Sequence, residues 1–271
     1  MQSQETLDSL FTVWQDNTRP DSIRVNAYEE YIRKGFLFST PDSAITLSAE
    51  LQVYAEKQNY PRAHALADYI KSIGFYLQGD YSKALESCNL SLELAERIDS
   101  KDMEATSLNL IGLIYEKQGY YSKALVYHQR SLKLSKELED RRGIAFSLNN
   151  IGEILNAQGN SLKALDYFER SLILLEELGM KQWMANALMN IGLCNANQGK
   201  ESLAFDYYKK SLDYYVELDD KRGIIQCLHV IGKAYYQQKD ISQALNYFEQ
   251  SLTISQEIDY KRGTVLSLTD M

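Results

Sequence analysis

Three histidines are the first residues to test for chemistry, because imidazole can bind a metal or act as a base. His64, His128 and His229 are widely separated, and none has a cysteine or a second histidine at metal-ligand spacing. The sequence also lacks a glycine-rich phosphate loop and a G-x-S-x-G nucleophile turn. We therefore expect a non-enzymatic protein with no cofactor and no metal, in which His128 belongs to the core.

Asparagine amides are the second group of candidates. A side-chain amide both donates and accepts hydrogen bonds, so a row of amides suits the backbone of an extended peptide. Counting by helical spacing along the predicted helices collects one face, which a solvated polar helix surface would explain equally well. The candidate binding residues on or beside this face are Asn109, Asn149, Asn150, Glu153, Asn186, Asn190, Asn197, His229 and Lys233.

A repeat of 40 residues must position these side chains. The alanines at this interval are Ala44, Ala84, Ala124, Ala164, Ala204 and Ala244. The Ile-Gly pairs at the same interval begin at Ile111, Ile151, Ile191 and Ile231. Such a period predicts one supersecondary unit stacked on copies of itself, a solenoid whose extended surface is typical of binding proteins.

One repeat, residues 102–141, reads as two helices joined by a short turn. Apolar and small residues follow helical spacing in each half. Gly119 lies between the halves, where a left-handed conformation can end the first helix. Gly112 lies inside the first helix at a cost of about 1 kcal/mol, which predicts close approach of the paired helix. Ala124 and Ser131 supply small residues for the same contact.

This register predicts an all-α fold, a right-handed superhelical α-solenoid of antiparallel helix pairs. Residues 1–21 hold a capping helix, residues 22–61 a degenerate unit and residues 62–261 five full units. Residues 262–271 begin a further first helix with an apolar stripe. We expect either a protein that continues past this sequence or an end that docks on a partner.

Composition excludes several classes of partner. The net charge of −8 disfavours nucleic acid, which needs a basic stripe. No apolar stretch approaches the roughly 20 residues of a membrane span, so this segment is expected to make no membrane contact. No signal peptide is visible, which indicates a cytoplasmic location for the sequence as given, or a periplasmic one if a signal peptide is missing. Cys88, Cys194 and Cys227 are interpreted as small buried residues.

The repeat resembles the tetratricopeptide repeat, a helix–turn–helix unit of 34 residues in its usual form. The positions that carry the resemblance are Leu108, Ile111, Gly112, Tyr115, Gly119, Tyr121 and Ala124. The longer unit found here is similar to the extended repeats of kinesin light chains and Pins-type G-protein-signalling modulators. The resemblance covers residues 62–261. It implies that the amide-bearing face lines a concave groove that holds a protein or peptide.

We expect the centre of that groove at Asn149, Asn150, Asn186 and Asn190. Chaperone-binding arrays of this family use a clamp of lysines and arginines in these columns. Only Lys233 qualifies here, so a chaperone tail is not the expected partner.

The N-terminus carries a second resemblance. Asp8-Ser9-Leu10, Trp14-Gln15-Asp16 and residues 38–44 are similar to the start of bacterial proteins in which such arrays precede an adenylate or guanylate cyclase domain. This resemblance implies an alternative function, the sensory or regulatory input region of a cyclase or sensor histidine kinase. The catalytic part would then be a covalent C-terminal effector domain beyond residue 271.

Overall fold

The structure, a computed structural model, describes residues 2–270. Those residues form fourteen α-helices and no β-strand, so the expected all-α fold is confirmed. None of the helices in that range has both the length and the apolar character needed to cross a membrane.

The chain divides into two compact units, unit 1 (Met1–Gly143) and unit 2 (Ile144–Met271). The helices of unit 1 are α1 (Gln2–Gln15), α2 (Asp21–Gly35), α3 (Pro41–Lys57), α4 (Pro61–Gln78), α5 (Tyr81–Arg97), α6 (Lys101–Lys117) and α7 (Tyr121–Glu137). Helix α8 (Arg141–Ala157) crosses the boundary, and its residues from Ile144 belong to unit 2. The remaining helices are α9 (Ser161–Glu177), α10 (Lys181–Asn197), α11 (Glu201–Glu217), α12 (Lys221–Gln237), α13 (Ile241–Glu257) and α14 (Lys261–Asp270).

Helices that follow one another in the sequence pack against one another within each unit, as an array of helix pairs requires. The most extensive contacts join α4 to α5 and α6 to α7 in unit 1, and α10 to α11 and α12 to α13 in unit 2. Gly119 has a φ of +79° in the turn between α6 and α7, so the expected left-handed end of the first helix is confirmed.

The glycine inside each first helix marks the closest approach of the paired helix. A Cβ atom on Gly112 would lie 2.6 Å from the ring of His128, and one on Gly192 would lie 2.5 Å from the ring of Tyr208. Both rings are buried, which confirms His128 as a core residue. The cost of a mid-helix glycine is therefore offset by a contact that any side chain would prevent.

The recurring serines add a hydrogen bond that the sequence analysis, which used only their size, did not include. The Ser131 hydroxyl donates to the Ala105 carbonyl oxygen over 2.8 Å. The Ser211 hydroxyl makes the equivalent bond to the Ala185 carbonyl oxygen over 2.7 Å. Each buried bond fastens a second helix to its first helix and contributes about 0.5–1.5 kcal/mol net.

The N-terminal helix α1 packs through aromatic residues. Trp14 stacks on the buried ring of Tyr28 with ring centroids 4.2 Å apart, and Phe11 lies 5.1 Å from Tyr31. Helix α2 runs Asp21–Gly35, and α3 begins at Pro41, because proline is tolerated in the first turn of a helix.

The three cysteines are free and buried, as the sequence analysis expected. Burial raises the pKa of the Cys88 thiol to about 12 and the pKa of the Cys227 thiol to about 11. Thiols with such pKa values stay protonated near neutral pH and act as small apolar residues.

Candidate functional site

The candidate binding side chains of unit 2 lie on α8, α10 and α12, the first helices of three successive pairs. Their neighbours Leu148, Ile151 and Ile191 are buried in the core. Helical spacing places a different set of residues beside this core stripe of the first helices. We call this set the amide face, and its members are Asn149, Glu153, Asn186, Asn190, His229 and Lys233.

Glu153 connects two helices of the amide face. Its Oε1 atom accepts a hydrogen bond from Asn149 Nδ2 over 2.8 Å and another from Asn190 Nδ2 over 3.1 Å. A carboxylate can only accept, so both asparagines must present their NH2 groups to it. Asn149 is only 5% exposed, and its buried Oδ1 atom has no hydrogen-bond partner among the described residues.

Asn186 is bonded through its oxygen, whereas Asn149 and Asn190 are bonded through their NH2 groups. The Tyr215 hydroxyl donates to Asn186 Oδ1 over 2.5 Å. Burial raises the pKa of Tyr215, so that hydroxyl stays protonated and able to donate. Asn186 thus keeps its NH2 group as a donor. Asn190, whose NH2 group binds Glu153, keeps its oxygen as an acceptor that receives no hydrogen bond from the described residues. We call Asn186 and Asn190 the amide pair.

A charged cluster lies at the α12 end of the amide face. His229 Nε2 lies 2.9 Å from Asp270 Oδ2, and Lys233 Nζ lies 3.3 Å from the same oxygen. Burial lowers the pKa of His229, and the Asp270 carboxylate partly offsets that shift. Lys233 therefore has a carboxylate partner and is not an isolated cation.

The other predicted site residues have different surroundings. Asn150 is 7% exposed, so it is buried as deeply as a core residue. Asn109 belongs to unit 1, where its Oδ1 atom lies 3.0 Å from His128 Nδ1. Burial lowers the pKa of His128 to about 3, so this ring is neutral near neutral pH. Asn197 lies at the last residue of α10 and donates to Asn156 Oδ1 over 3.2 Å.

The sequence analysis missed a cavity of about 190 Å³ in unit 1. We call it the Glu29 cavity, after the carboxyl that is central to its chemistry. The signal was present in the repeat. Subtracting the 40-residue period from Thr106 gives Leu66 and then Asn26, and these three residues line the cavity.

The same subtraction from Asn109 gives Tyr69 and then Glu29, which also line the cavity. The columns that carry the amide face in unit 2 thus line a cavity in unit 1. Our expectation concentrated on the later repeats, where asparagines are frequent, and did not consider the residues of these columns in the first repeats.

The sequence matches the tetratricopeptide repeat family over most of its length. The matched segments are residues 72–137, 104–177, 143–215 and 183–257. The chain therefore belongs to the tetratricopeptide repeat family. No curated protein shows significant similarity to it in sequence.

Several solved structures have a similar fold at low sequence identity. BtubC (BKLC) from P. vanneervenii is 18% identical with a TM-score of 0.68, covering 82% of this chain and 93% of its own. Rap protein complexed with Competence and Sporulation Factor is 14% identical with a TM-score of 0.73, covering 97% and 78%. NprR in complex with its cognate peptide NprX is 15% identical with a TM-score of 0.73, covering 98% and 78%.

Proposed function

We propose that this protein is a non-enzymatic scaffold that binds an extended protein segment or peptide along the amide face of unit 2. The observation that carries the proposal is the amide pair. Asn186 keeps a donor because Tyr215 occupies its oxygen, and Asn190 keeps an acceptor because Glu153 occupies its nitrogen. Each amide is held in orientation by a neighbour before any ligand arrives, which lowers the cost of ordering on binding.

The spacing of the amide pair fits an extended backbone. Residues four apart on a helix are displaced by about 6 Å along its axis. In an extended chain, residues whose N–H and C=O groups point to the same side recur about every 6.6 Å. A peptide lying along α10 can therefore accept from Asn186 and donate to Asn190 within one such step. These two hydrogen bonds recognise the peptide backbone. Any preference for a peptide sequence would come from the side chains around the amide pair.

The comparisons support the class of ligand. Two of the structures with a similar fold were solved with a bound factor or peptide, the Rap complex and the NprR complex. At this level of identity the likeness concerns the fold, so the ligand contacts of the present chain must come from its own residues. The input region of a larger signalling enzyme stays a prediction of the sequence analysis.

The test is a binding measurement with one displayed random-peptide library, selected against the whole chain. The strongest selected peptide is then titrated against the double variant Asn186→Ala, Asn190→Ala. Loss of two hydrogen bonds should weaken binding at least about tenfold, since about 1.4 kcal/mol is sufficient.

The matched control is the double variant Gln158→Ala, Gln243→Ala. It also removes two amides, both of them exposed and outside the amide face. We expect it to bind like the unmodified protein. Equal affinity of both double variants would contradict the proposal. Asn149 and Asn150 are left unchanged because their burial makes them part of the fold.

A further inference from the structure

The Glu29 cavity is walled by α2, α4 and α6 of unit 1. Its volume is about 190 Å³, which is ample for a ligand group larger than a single water molecule. Val25, Leu66 and Met103 supply apolar surface, and two tyrosines also line it. The cavity therefore suits a slender ligand group with an apolar stem.

The guanidinium of Arg62, the cation of the cavity wall, is already engaged. Its Nη2 atom donates to Asp102 Oδ2 over 2.6 Å, and its Nη1 atom donates to Asp102 Oδ1 over 3.2 Å. Nη1 also donates to the Ser100 hydroxyl over 2.6 Å. The hydrogen bonds that Asp102 accepts from Arg62 and from the Ser100 hydroxyl hold the pKa of its carboxyl well below its usual range. Arg62 and Asp102 thus largely compensate each other's charge.

The Glu29 carboxyl has no comparable partner. It makes no hydrogen bond or ion pair with the residues the structure describes, and it is half-buried. Burial raises its pKa, while the more distant charges of Arg33 and Arg62 act in the opposite direction. Arg33 is about half-exposed and lies 3.9 Å from Glu30, the neighbouring acid. Two carboxyls and one guanidinium line the cavity, so its net charge is −1 when both acids are ionised.

We propose that the Glu29 cavity binds the cationic side chain of a lysine or arginine carried by a peptide. The aliphatic stem of such a side chain would replace water along Leu66 and Met103, and its charged head would pair with Glu29. Tyr60 and Tyr69 also line the cavity, and aromatic rings attract cations. The choice of a peptide as carrier rests on the proposed function. The cation site itself rests on unit 1 alone.

The test compares two compounds of the same shape in ¹⁵N NMR titrations of the whole chain. N-acetyl-arginine-N-methylamide carries a charge, and N-acetyl-citrulline-N-methylamide replaces that charge with a neutral urea. The arginine compound should shift backbone amide signals of α2, α4 and α6 in a saturable manner. The citrulline compound should bind at least about tenfold more weakly.

Two variants test whether Glu29 is the residue that pairs with the cation. Glu29→Gln should reduce affinity for the arginine compound at least about tenfold while leaving the citrulline compound unaffected. Glu30→Gln is the matched control, because Glu30 is the adjacent acid and does not line the cavity. It should bind both compounds like the unmodified protein. The backbone spectrum of each free variant verifies that it is folded, and Glu29→Gln removes no hydrogen bond to the described residues.

Three results would overturn the proposal. They are equal affinity for the two compounds, unchanged binding by Glu29→Gln, and signal shifts confined to other helices. Spermidine, titrated in parallel, tests the carrier. Tighter binding of spermidine than of the arginine compound would indicate that the ligand of the cavity is a free polyamine and not a peptide. The variant lacking the amide pair should bind the arginine compound normally, so failure of the peptide face and failure of this cavity are distinguishable.

Discussion

Glu29 in unit 1 and Asn149 in unit 2 occupy the same column of the repeat, three periods of 40 residues apart. Asn149 is almost fully buried, and its NH2 group binds Glu153. Glu29 is half-buried, and no described residue donates a hydrogen bond to it. One backbone position therefore supports a structural amide in one unit and an uncompensated carboxyl in the other.

The carboxylates of the two units show the same contrast. Glu153 accepts hydrogen bonds from two asparagines, whereas Glu29 sits beside a guanidinium that Asp102 already holds. The difference arises in the columns that line each site, whereas the alanine column of the core recurs from Ala44 to Ala244. A repeat array can thus vary the ligand chemistry of one column from unit to unit.

The comparison requires that a column faces the same way in every repeat, and overpacking one column tests this most strongly. Ala164 is fully buried, whereas Ala157 is exposed and shares a column with the exposed Lys117 and Asn197. Ala164→Leu should destabilise the protein by about 1–3 kcal/mol because the added methylenes overpack the helix pair. Ala157→Leu should change stability by less than about 0.5 kcal/mol. Equal losses in thermal melts would break the comparison.

The pH dependence of stability tests whether the Glu29 carboxyl is uncompensated in the folded protein. Its pKa is raised in the folded protein, so ionisation opposes folding, and the stability of the protonated form is lost as the pH rises through that pKa. Glu29→Gln should therefore raise the melting temperature at pH 7 relative to the unmodified protein. The gain should shrink near pH 4, where the carboxyl is protonated in most unfolded chains.

Glu30→Gln provides a control of opposite sign. The hydrogen bond from Lys34 lowers the pKa of Glu30, so ionisation favours folding above the ordinary pKa of a glutamate. This variant should melt slightly lower at pH 7 and show no deficit at acid pH. A gain at pH 7 for both variants would mean that removing any acid stabilises unit 1, and the argument for Glu29 would fail.

A smaller effect should follow from releasing Arg62. Asp102→Asn removes the carboxylate that engages the guanidinium, and the freed cation can then turn to Glu29. Affinity of the cavity for the arginine compound should fall a few-fold, although Asp102 itself is not the proposed ligand. The ion pair is about half-exposed, so its loss should cost at most about 1 kcal/mol of stability. Stronger binding by this variant would show that Arg62 does not compete for Glu29.

The repeat predicted the fold because alanine, glycine and serine recur at the helix contacts of residues 102–261. Gly112 and Ala124 had a packing explanation in the sequence, and the structure confirms it. The serine hydrogen bonds were not predictable from size alone, since Ser131 and an alanine would occupy similar space. The asparagines of α8 and α10 lie on first helices, and ligand binding by them stays a prediction.

Burial within that face could not be read from the sequence. Asn149, Asn150 and Asn190 all lie at helical spacing on first helices. Asn149 and Asn150 are almost fully buried, whereas Asn190 is partly buried and keeps its oxygen as an acceptor. A contact between two helices decides which atoms of an amide remain for a ligand. Asn190, for example, bonds to Glu153, which is 37 residues earlier in the sequence. The Glu29 cavity depends equally on three helices, so only the 40-residue period, and no pattern within one helix, relates its lining residues.

The most direct test of the peptide-binding proposal observes the amide pair itself. In ¹⁵N–¹H spectra the side-chain NH2 signals of Asn186 and Asn190 can be followed during titration with the library-selected peptide. The Asn186 signals should move downfield as that group donates to a peptide carbonyl, while the Asn190 signals change little because Glu153 still accepts from them. Unchanged Asn186 signals at saturation, with shifts confined to helices outside α8, α10 and α12, would contradict the account.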